Sequence, residues 1–358
     1  LNEAGEILRV PRELLEHALE NLSVKGKVKC ERAGTNAGET EEIRVYLPWY
    51  YDAEAEVASR LLELLESIPK GERAKGEQRI RAFEKRNGIT FSSMQKEAIL
   101  SALDYGVLVI TGGPGTGKTT IIQCIISLLR DEGEVLLCAP TGRAAKRMSE
   151  ATSREAKTIH RLLEYSGEDI FARDENDPLQ TSCIIVDEMS MVDLMLMRAL
   201  LRAVEPGTRL ILVGDADQLP SVGAGNVLGD ILASSVIPAV CLTDIFRQSQ
   251  ESRIVVNAHR INHGELPLLN EKKTDFFFDR RESAVSTANT IVDLIASRLP
   301  AFLGCAEEDR ARHIQILAPQ KKGETGVLSL NLRIQEALNP QEDGKPSLSI
   351  GDTEYRLG

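Results

Sequence analysis

The sequence predicts an α/β fold built on a mostly parallel sheet with helices on both faces. Three observations lead there. Short, continuously apolar runs recur along the chain: "VLVIT", "EVLLCAP", "SCIIVDE", "RLILVGD" and "AVCLTDI". Helix-like stretches separate most of them, the alternation expected when a parallel sheet is covered on both sides. The first run then opens into a glycine-rich loop and leaves as an apolar helix, "VLVITGGPGTGKTTIIQCIISLL", from Val107 to Leu129.

The elements follow in chain order. In residues 1–50, "PRELLEHALENL" places Pro11 at a first helical turn and Leu14, Leu15, Ala18 and Leu22 at helical spacing. "KVKCERAG" and "EEIRVYLP" flank the turn-rich "TNAGET", which predicts a hairpin. Helices followed by a hairpin make a small α+β unit that resembles a winged helix. Residues 51–88 read as a helical linker. Its first part is amphipathic, with Val57, Ala58, Leu61, Leu65 and Ile68 on one face. Its second part is polar and basic, either a solvated helix or a contact for nucleic-acid phosphates. Residues 89–242 carry the alternating strands and helices, and residues 243–358 follow as a further domain.

The loop "GGPGTGKT", Gly112 to Thr119, fits G-x-x-x-x-G-K-S/T, with a strand before it and a helix after. Glycines let backbone N–H groups turn inward without a β-carbon in the way, and the helix N-terminus adds positive potential. The phosphate cradle is therefore expected from Gly113, Pro114, Gly115, Thr116, Gly117, Lys118, Thr119 and Thr120. Lys118 is expected along the β- and γ-phosphates of a nucleotide, and the Thr119 hydroxyl on Mg²⁺. Farther on, "SCIIVDEMSMVD" delivers Asp187 and Glu188 to the carboxyl end of a strand, where open α/β sheets bind ligands. Asp187 is expected to hold Mg²⁺ and Glu188 to orient the attacking water. Asp193 reads as a cap or local acceptor.

Composition narrows the class. Of 358 residues, 42% are hydrophobic and 27% charged, as in an ordinary globular protein with two or three domains. No apolar run approaches the ~20 residues that span a bilayer, and no signal pattern opens the chain. A cytoplasmic protein with no membrane partner is expected. The net charge of −11 argues against coating nucleic acid by bulk charge, while leaving room for a narrow basic groove. The six cysteines make no C-x-x-C pair and read as reduced, buried thiols. His259 and His263 are four apart on one helix face, a spacing that suits zinc. No third ligand is apparent, so a structural role is expected, as is packing or capping for His160.

Further stretches are more specific than the phosphate loop. They are "FSSMQKEAI", "CAPTGRAAKRM", "VGDADQLPSVGAGNVLGDIL", "LTDIFRQSQESRIVVNAHRINHGELP" and "IQILAPQKKGETGVLSLNLRIQEALNP". In this order and spacing they resemble the RecD/TraA family of superfamily 1B DNA helicases, from about Tyr46 to Gly358. The resemblance implies a RecA-like P-loop motor domain, a partial second RecA-like domain, and ATP-driven 5′-to-3′ movement on single-stranded DNA. It assigns Gln95 to adenine, Gln218 to sensing the γ-phosphate, and Arg247 to reaching that phosphate from the second domain. It places Pro140, Thr141, Gly142 and Arg143 against the DNA strand, with Ser221, Val222 and Asn226 as weaker candidates. It also implies that "LLEYSGEDIFARDENDPLQTS", at about 162–182, is a hairpin that parts the duplex. Tyr165 and Phe171 either stack on a base or pack within the hairpin.

Two motifs that the resemblance implies do not occur by Gly358: a late DNA motif and a final arginine motif. With Leu1 in place of Met, this suggests a piece of a longer protein that binds ATP·Mg²⁺, hydrolyses it slowly and does not unwind. A monomer is expected, working on single strands and single-strand/duplex junctions, alone or with subunits of a recombination or repair nuclease. A P-loop ATPase that does not unwind, or a regulatory subunit of such a complex, is the alternative reading.

Overall fold

The computed structural model describes residues 2–33, 42–69, 73–167, 170–243, 252–270, 274–306, 313–342, 344–351 and 353–357. The chain divides into two compact units, Leu1–Leu268 and Leu269–Gly358. The first begins with helices α1 (Asn2–Leu8) and α2 (Arg12–Val24) and an antiparallel hairpin of β1 (Lys29–Ala33) and β2 (Glu42–Tyr46). Helices followed by a hairpin match the sequence reading. The apolar face of α2 does not become a core, however: none of its residues is buried, and Leu14 and Leu22 are exposed.

After this come α3 (Pro48–Glu66), α4 (Arg73–Asn87), α5 (Ser93–Asp104), β3 (Val107–Gly112), α6 (Lys118–Leu129), β4 (Val135–Ala139), α7 (Gly142–Thr152), β5 (Ala156–Thr158) and α8 (Ile159–Leu162). A small antiparallel hairpin, β6 (Tyr165–Gly167) and β7 (Ile170–Phe171), falls inside the expected insert. Then follow β8 (Cys183–Val186), α9 (Leu194–Arg202), β9 (Arg209–Gly214), α10 (Val227–Ser234), β10 (Ala239–Leu242) and α11 (Arg253–Asn262). Six strands form one parallel sheet in the order β10-β3-β9-β8-β4-β5. This is the expected RecA-like α/β core.

Alternation along the strands explains why they are apolar throughout. Val107 and Val109 of β3, Ile184 and Val186 of β8, and Leu210 and Leu212 of β9 face one core, with α3, α9 and α10. Leu108, Ile110, Ile185, Ile211 and Val213 face the other, with α4, α5 and α6. Side chains of period two, buried on both sides, leave no polar position in a central strand.

The segment read as a helical linker is structural. α3 buries Ala53, Val57, Leu61 and Leu64 against the sheet, and α4 buries Ile80 and Phe83. Arg198 and Arg202 of α9 both donate to the Glu56 carboxylate, at 2.6 and 2.5 Å. Arg73 donates to Asp104 at 2.5 Å and to Glu97 at 2.6 Å, tying α4 to α5. Arg79 pairs with Asp131. Basic residues offered as phosphate contacts are thus partly spent on holding α4 in place.

Residues 252–268, which the sequence reading places in the second domain, belong to the first unit. The second unit holds α12 (Ala284–Asp293), a π-helical turn (Leu294–Arg298), α13 (Leu299–Leu303), α14 (Val327–Leu338) and a hairpin of β11 (Ser347–Ile350) and β12 (Thr353–Arg356). Among its described residues the strands are this antiparallel pair alone. No helix among the described residues is long and apolar enough to cross a membrane.

Candidate nucleotide site

Sheet register aligns the functional loops. Thr111 of β3 lies beside Gly214 of β9, and Val186 of β8 lies between Leu212 of β9 and Cys138 of β4. Neighbouring strands are ~4.8 Å apart. The loops after Gly112, Gly214, Val186 and Ala139 therefore emerge in a row at the carboxyl edge of the sheet, the ligand-binding edge of open α/β folds.

The phosphate loop occupies the first place in that row. Gly117, with φ of 84°, caps the N-terminus of α6 in the left-handed region that glycine enters without strain. Thr116 is buried, and its hydroxyl donates to the Gly113 carbonyl at 2.9 Å. Lys118 donates to the carbonyls of Gly112 and Gly113. The loop's own oxygens hold the ammonium near where phosphate oxygens are expected. Pro114, Gly115 and Thr119 are exposed and Thr120 is half-buried at the first turn of α6.

Gln95 lies behind the loop and is 2% exposed. Its Nε2 donates to the Thr116 carbonyl at 2.9 Å, and its Oε1 accepts from the Ser92 N–H at 2.9 Å, closing a capping box at the start of α5. Both ends of the amide are in use. Nε2 keeps a second hydrogen and Oε1 a second lone pair.

The carboxylates come next. Asp187 continues the sheet by donating its N–H to the Cys138 carbonyl, and its Oδ1 accepts from the Glu188 N–H at 2.9 Å. Burial pushes the Asp187 carboxyl up, against the pull of the Glu188 N–H and the Lys118 charge. Glu188 is also pushed up, by burial and then by Asp187, with Lys118 and Arg147 opposing. Its φ of 56° is strained for a side chain with a β-carbon, as occurs where function over-determines the backbone. Two partly desolvated carboxylates beside a lysine make a fitting donor set for a divalent cation. Asp193 is the N-cap of α9, accepting from Leu196 N–H at 2.8 Å.

The loop after β9 supplies Asp215 and Gln218. Asp215 is 4% exposed and accepts from Asp217 N–H and from Gln218 Nε2. With Gly113, Pro114 and His259 these residues line a cavity of about 330 Å³. Asp215 and His259 are residues the sequence reading left out of the site. For Asp215 a signal was present, its place at the end of "RLILVGD", the same context that singled out Asp187. Arg247 lies outside the described residues.

The DNA candidates separate into two places. Thr141 caps α7, its hydroxyl accepting from Ala144 N–H, and Pro140, Gly142 and Arg143 surround it. Gly142 opens on a cleft of about 610 Å³ shared with Lys146, Lys157, Thr158 and Arg161. None of these four was among the sequence candidates. Ser221 donates to the carbonyls of Gly223 and Gly225, and Asn226 caps α10, so both shape the loop after β9. Val222 at its tip is fully exposed. In the hairpin region, the rings of His160, Tyr165 and Phe171 pack on one another at 5.1 to 6.0 Å.

The chain matches known proteins along most of its length. The model of an AAA domain matches residues 95–224. An ATP-dependent RecD2 DNA helicase of Deinococcus radiodurans is 36% identical over 324 residues, 90% of this chain and 42% of that protein. A RecBCD enzyme subunit RecD of Mycobacterium tuberculosis is 36% identical over 336 residues, 84% of this chain and 57% of that protein. The chain is a homologue of the RecD-type DNA helicases. It spans about half the length of these two curated relatives. A crystal structure of Pif1 helicase from Candida albicans aligns with a TM-score of 0.40 and 23% identity, covering 60% of this chain and 55% of that one. The RecD-type match runs through both the nucleotide row and the cleft at α7.

Proposed function

We propose that this chain carries the ATP-binding lobe of a RecD-type DNA helicase that moves 5′ to 3′ on single-stranded DNA. The observation that carries the reading is the row at the sheet edge: the Lys118 loop, Asp215, Asp187 with Glu188, and Thr141 on neighbouring strands. Backbone N–H groups from Gly113 to Thr120, Pro114 excepted, and the Lys118 ammonium hold the phosphates of ATP. The Thr119 hydroxyl and Asp187 would hold Mg²⁺, which would supply positive charge against the phosphate oxygens. Glu188 orients the attacking water, Gln218 senses the terminal phosphate, and Arg247 reaches that phosphate. Gln95 meets adenine. Pro140, Thr141, Gly142, Arg143, Ser221 and Asn226 contact the strand without reading bases, and the β6–β7 hairpin parts the duplex. The protein acts in the cytoplasm as a monomer or beside nuclease subunits. The 358 residues by themselves bind ATP·Mg²⁺, hydrolyse it slowly and do not unwind.

The test has two arms. Residues 1–358 should bind ATP with Mg²⁺, and Lys118→Ala should abolish binding. The full-length protein should separate 5′-tailed but not 3′-tailed duplex. Robust unwinding by the 358 residues, or ATP affinity untouched by Lys118→Ala, contradicts the reading. A second reading is favoured by relatives named as RecBCD subunits in Mycobacterium tuberculosis and Haemophilus influenzae. On that reading the parent is a subunit that hydrolyses ATP on DNA without separating strands alone, which the same assay distinguishes.

A further inference from the structure

The spacing of His259 and His263 suggested a structural pair, but the two side chains have different surroundings. His263 is exposed at the end of α11, with Nδ1 2.7 Å from the His259 carbonyl. His259 lies over the opening of the phosphate loop. A β-carbon built on Gly113 would come within 2.8 Å of His259 Cε1 and 3.3 Å of Nε2, so glycine at that position admits the ring. His259 also lines the cavity walled by Gly113, Pro114, Asp215 and Gln218.

The ring nitrogen Nε2 is buried and has no hydrogen-bond partner among the described residues. A buried donor left unpaired costs about 1–3 kcal/mol, and such groups in native folds call for an explanation. Its neighbours supply one. In a loop of this type the lysine reaches the far end of the phosphate chain, and here Lys118 is drawn to the Gly112 and Gly113 carbonyls. The second and third loop residues, Gly113 and Pro114, share the cavity wall with His259, so the ring stands at that same end. The wall also carries the carboxylates of Asp215 and Asp217. An anionic phosphate entering there needs donors to offset them, and His259 is placed to be one.

We propose that His259 binds the terminal phosphate of a nucleoside triphosphate, donating from Nε2 to a phosphate oxygen, and so makes the position of α11 depend on the nucleotide held. The inference rests on the ATP-binding reading above and adds a residue to it. A diphosphate lacks the group that His259 reaches, so the contact separates the two nucleotides.

The experiment measures the affinity of the 358-residue chain for a fluorescent non-hydrolysable ATP analogue and for fluorescent ADP, each with Mg²⁺. His259→Ala should lose about tenfold for the triphosphate, the size of one hydrogen bond to a charged group, and leave ADP affinity unchanged. His259→Gln, which keeps an N–H donor, should recover part of the loss. Equal loss for both nucleotides, or no loss for either, overturns the proposal. Should His259→Ala fail to fold, which thermal unfolding reveals, the triphosphate-to-diphosphate ratio of His259→Gln decides: a ratio equal to wild type's overturns the proposal. If wild type binds neither nucleotide, the ATP reading falls and this one with it. If wild type binds and Lys118→Ala does not, while the His259 variants match wild type, only this inference falls.

Discussion

At the scale of single residues, the site joins side chains set by local backbone geometry to others brought in by packing. Lys118, Thr119, Asp187 and Glu188 announce themselves because a glycine loop between strand and helix, or an Asp-Glu pair ending an apolar strand, has few other uses. His259 enters the site only because α11 packs over a loop more than a hundred residues earlier in the chain. No pattern within "NAHRINHG" carries that information. Gln95 shows a second limit: spacing identifies the residue but not which way its amide is committed. Its two hydrogen bonds predict that Gln95→Ala destabilises the fold by about 1–3 kcal/mol, read as a lower urea midpoint. Unchanged stability with weaker ATP binding would show instead that the amide is held for the nucleotide. For Glu188→Gln, ATP affinity should be kept while turnover falls by roughly 10²–10⁴, the usual worth of a positioned base. A loss of binding equal to the loss of turnover would assign Glu188 to holding the cation.

At the scale of elements, the strands and the helices between them were legible, and what α3 covers was not. The amphipathic face of α3 was visible from its spacing. What it covers is set by contacts with β3 and α9, far away in sequence, so the same pattern passed for a linker. Glu56 makes this packing testable. Burial pushes its carboxyl up, but hydrogen bonds from Arg202 and Arg198 outweigh that and hold it below the ordinary carboxylate value. A carboxylate with a lowered folded-state pKa adds stability that is present above its unfolded value and is lost as pH falls through the folded one. Glu56→Gln should therefore lower the melting temperature at neutral pH, by the equivalent of about 1 kcal/mol for a partly exposed pair. The gap to wild type should close as the pH drops below the usual carboxylate range. No gap at neutral pH would mean that α3 is held by its apolar face alone. The β6–β7 hairpin allows a parallel test in the full-length protein. Tyr165 is 42% exposed, so Tyr165→Ala should spare folding and DNA-stimulated ATP turnover while slowing strand separation.

At the scale of the whole molecule, charge and binding pull in opposite directions. A net charge of −11 repels a polyanion at long range, so contact with a strand must come from a local concentration of donors. The cleft at the start of α7 is such a place: Lys146, Lys157 and Arg161 line it, beside the Thr141 cap and Gly142. Lys146 and Lys157 each have a glutamate 3.9 Å away, loose enough for a phosphate to compete. Three cations neutralising one phosphate each would give a slope of log affinity against log salt of about −2, from roughly −0.7 per phosphate on a single strand. Replacing Lys146 by alanine should make that slope shallower by about 0.7 and weaken binding alike for every sequence, because phosphate contacts carry no base information. Repulsion from the acidic body acts differently. Salt screens it, so a complex governed by bulk charge would bind no worse, or better, as salt rises. Affinity for a single strand measured between low and moderate salt thus separates the two: a negative slope that Lys146→Ala reduces places the strand in the α7 cleft, and a flat or positive slope removes it.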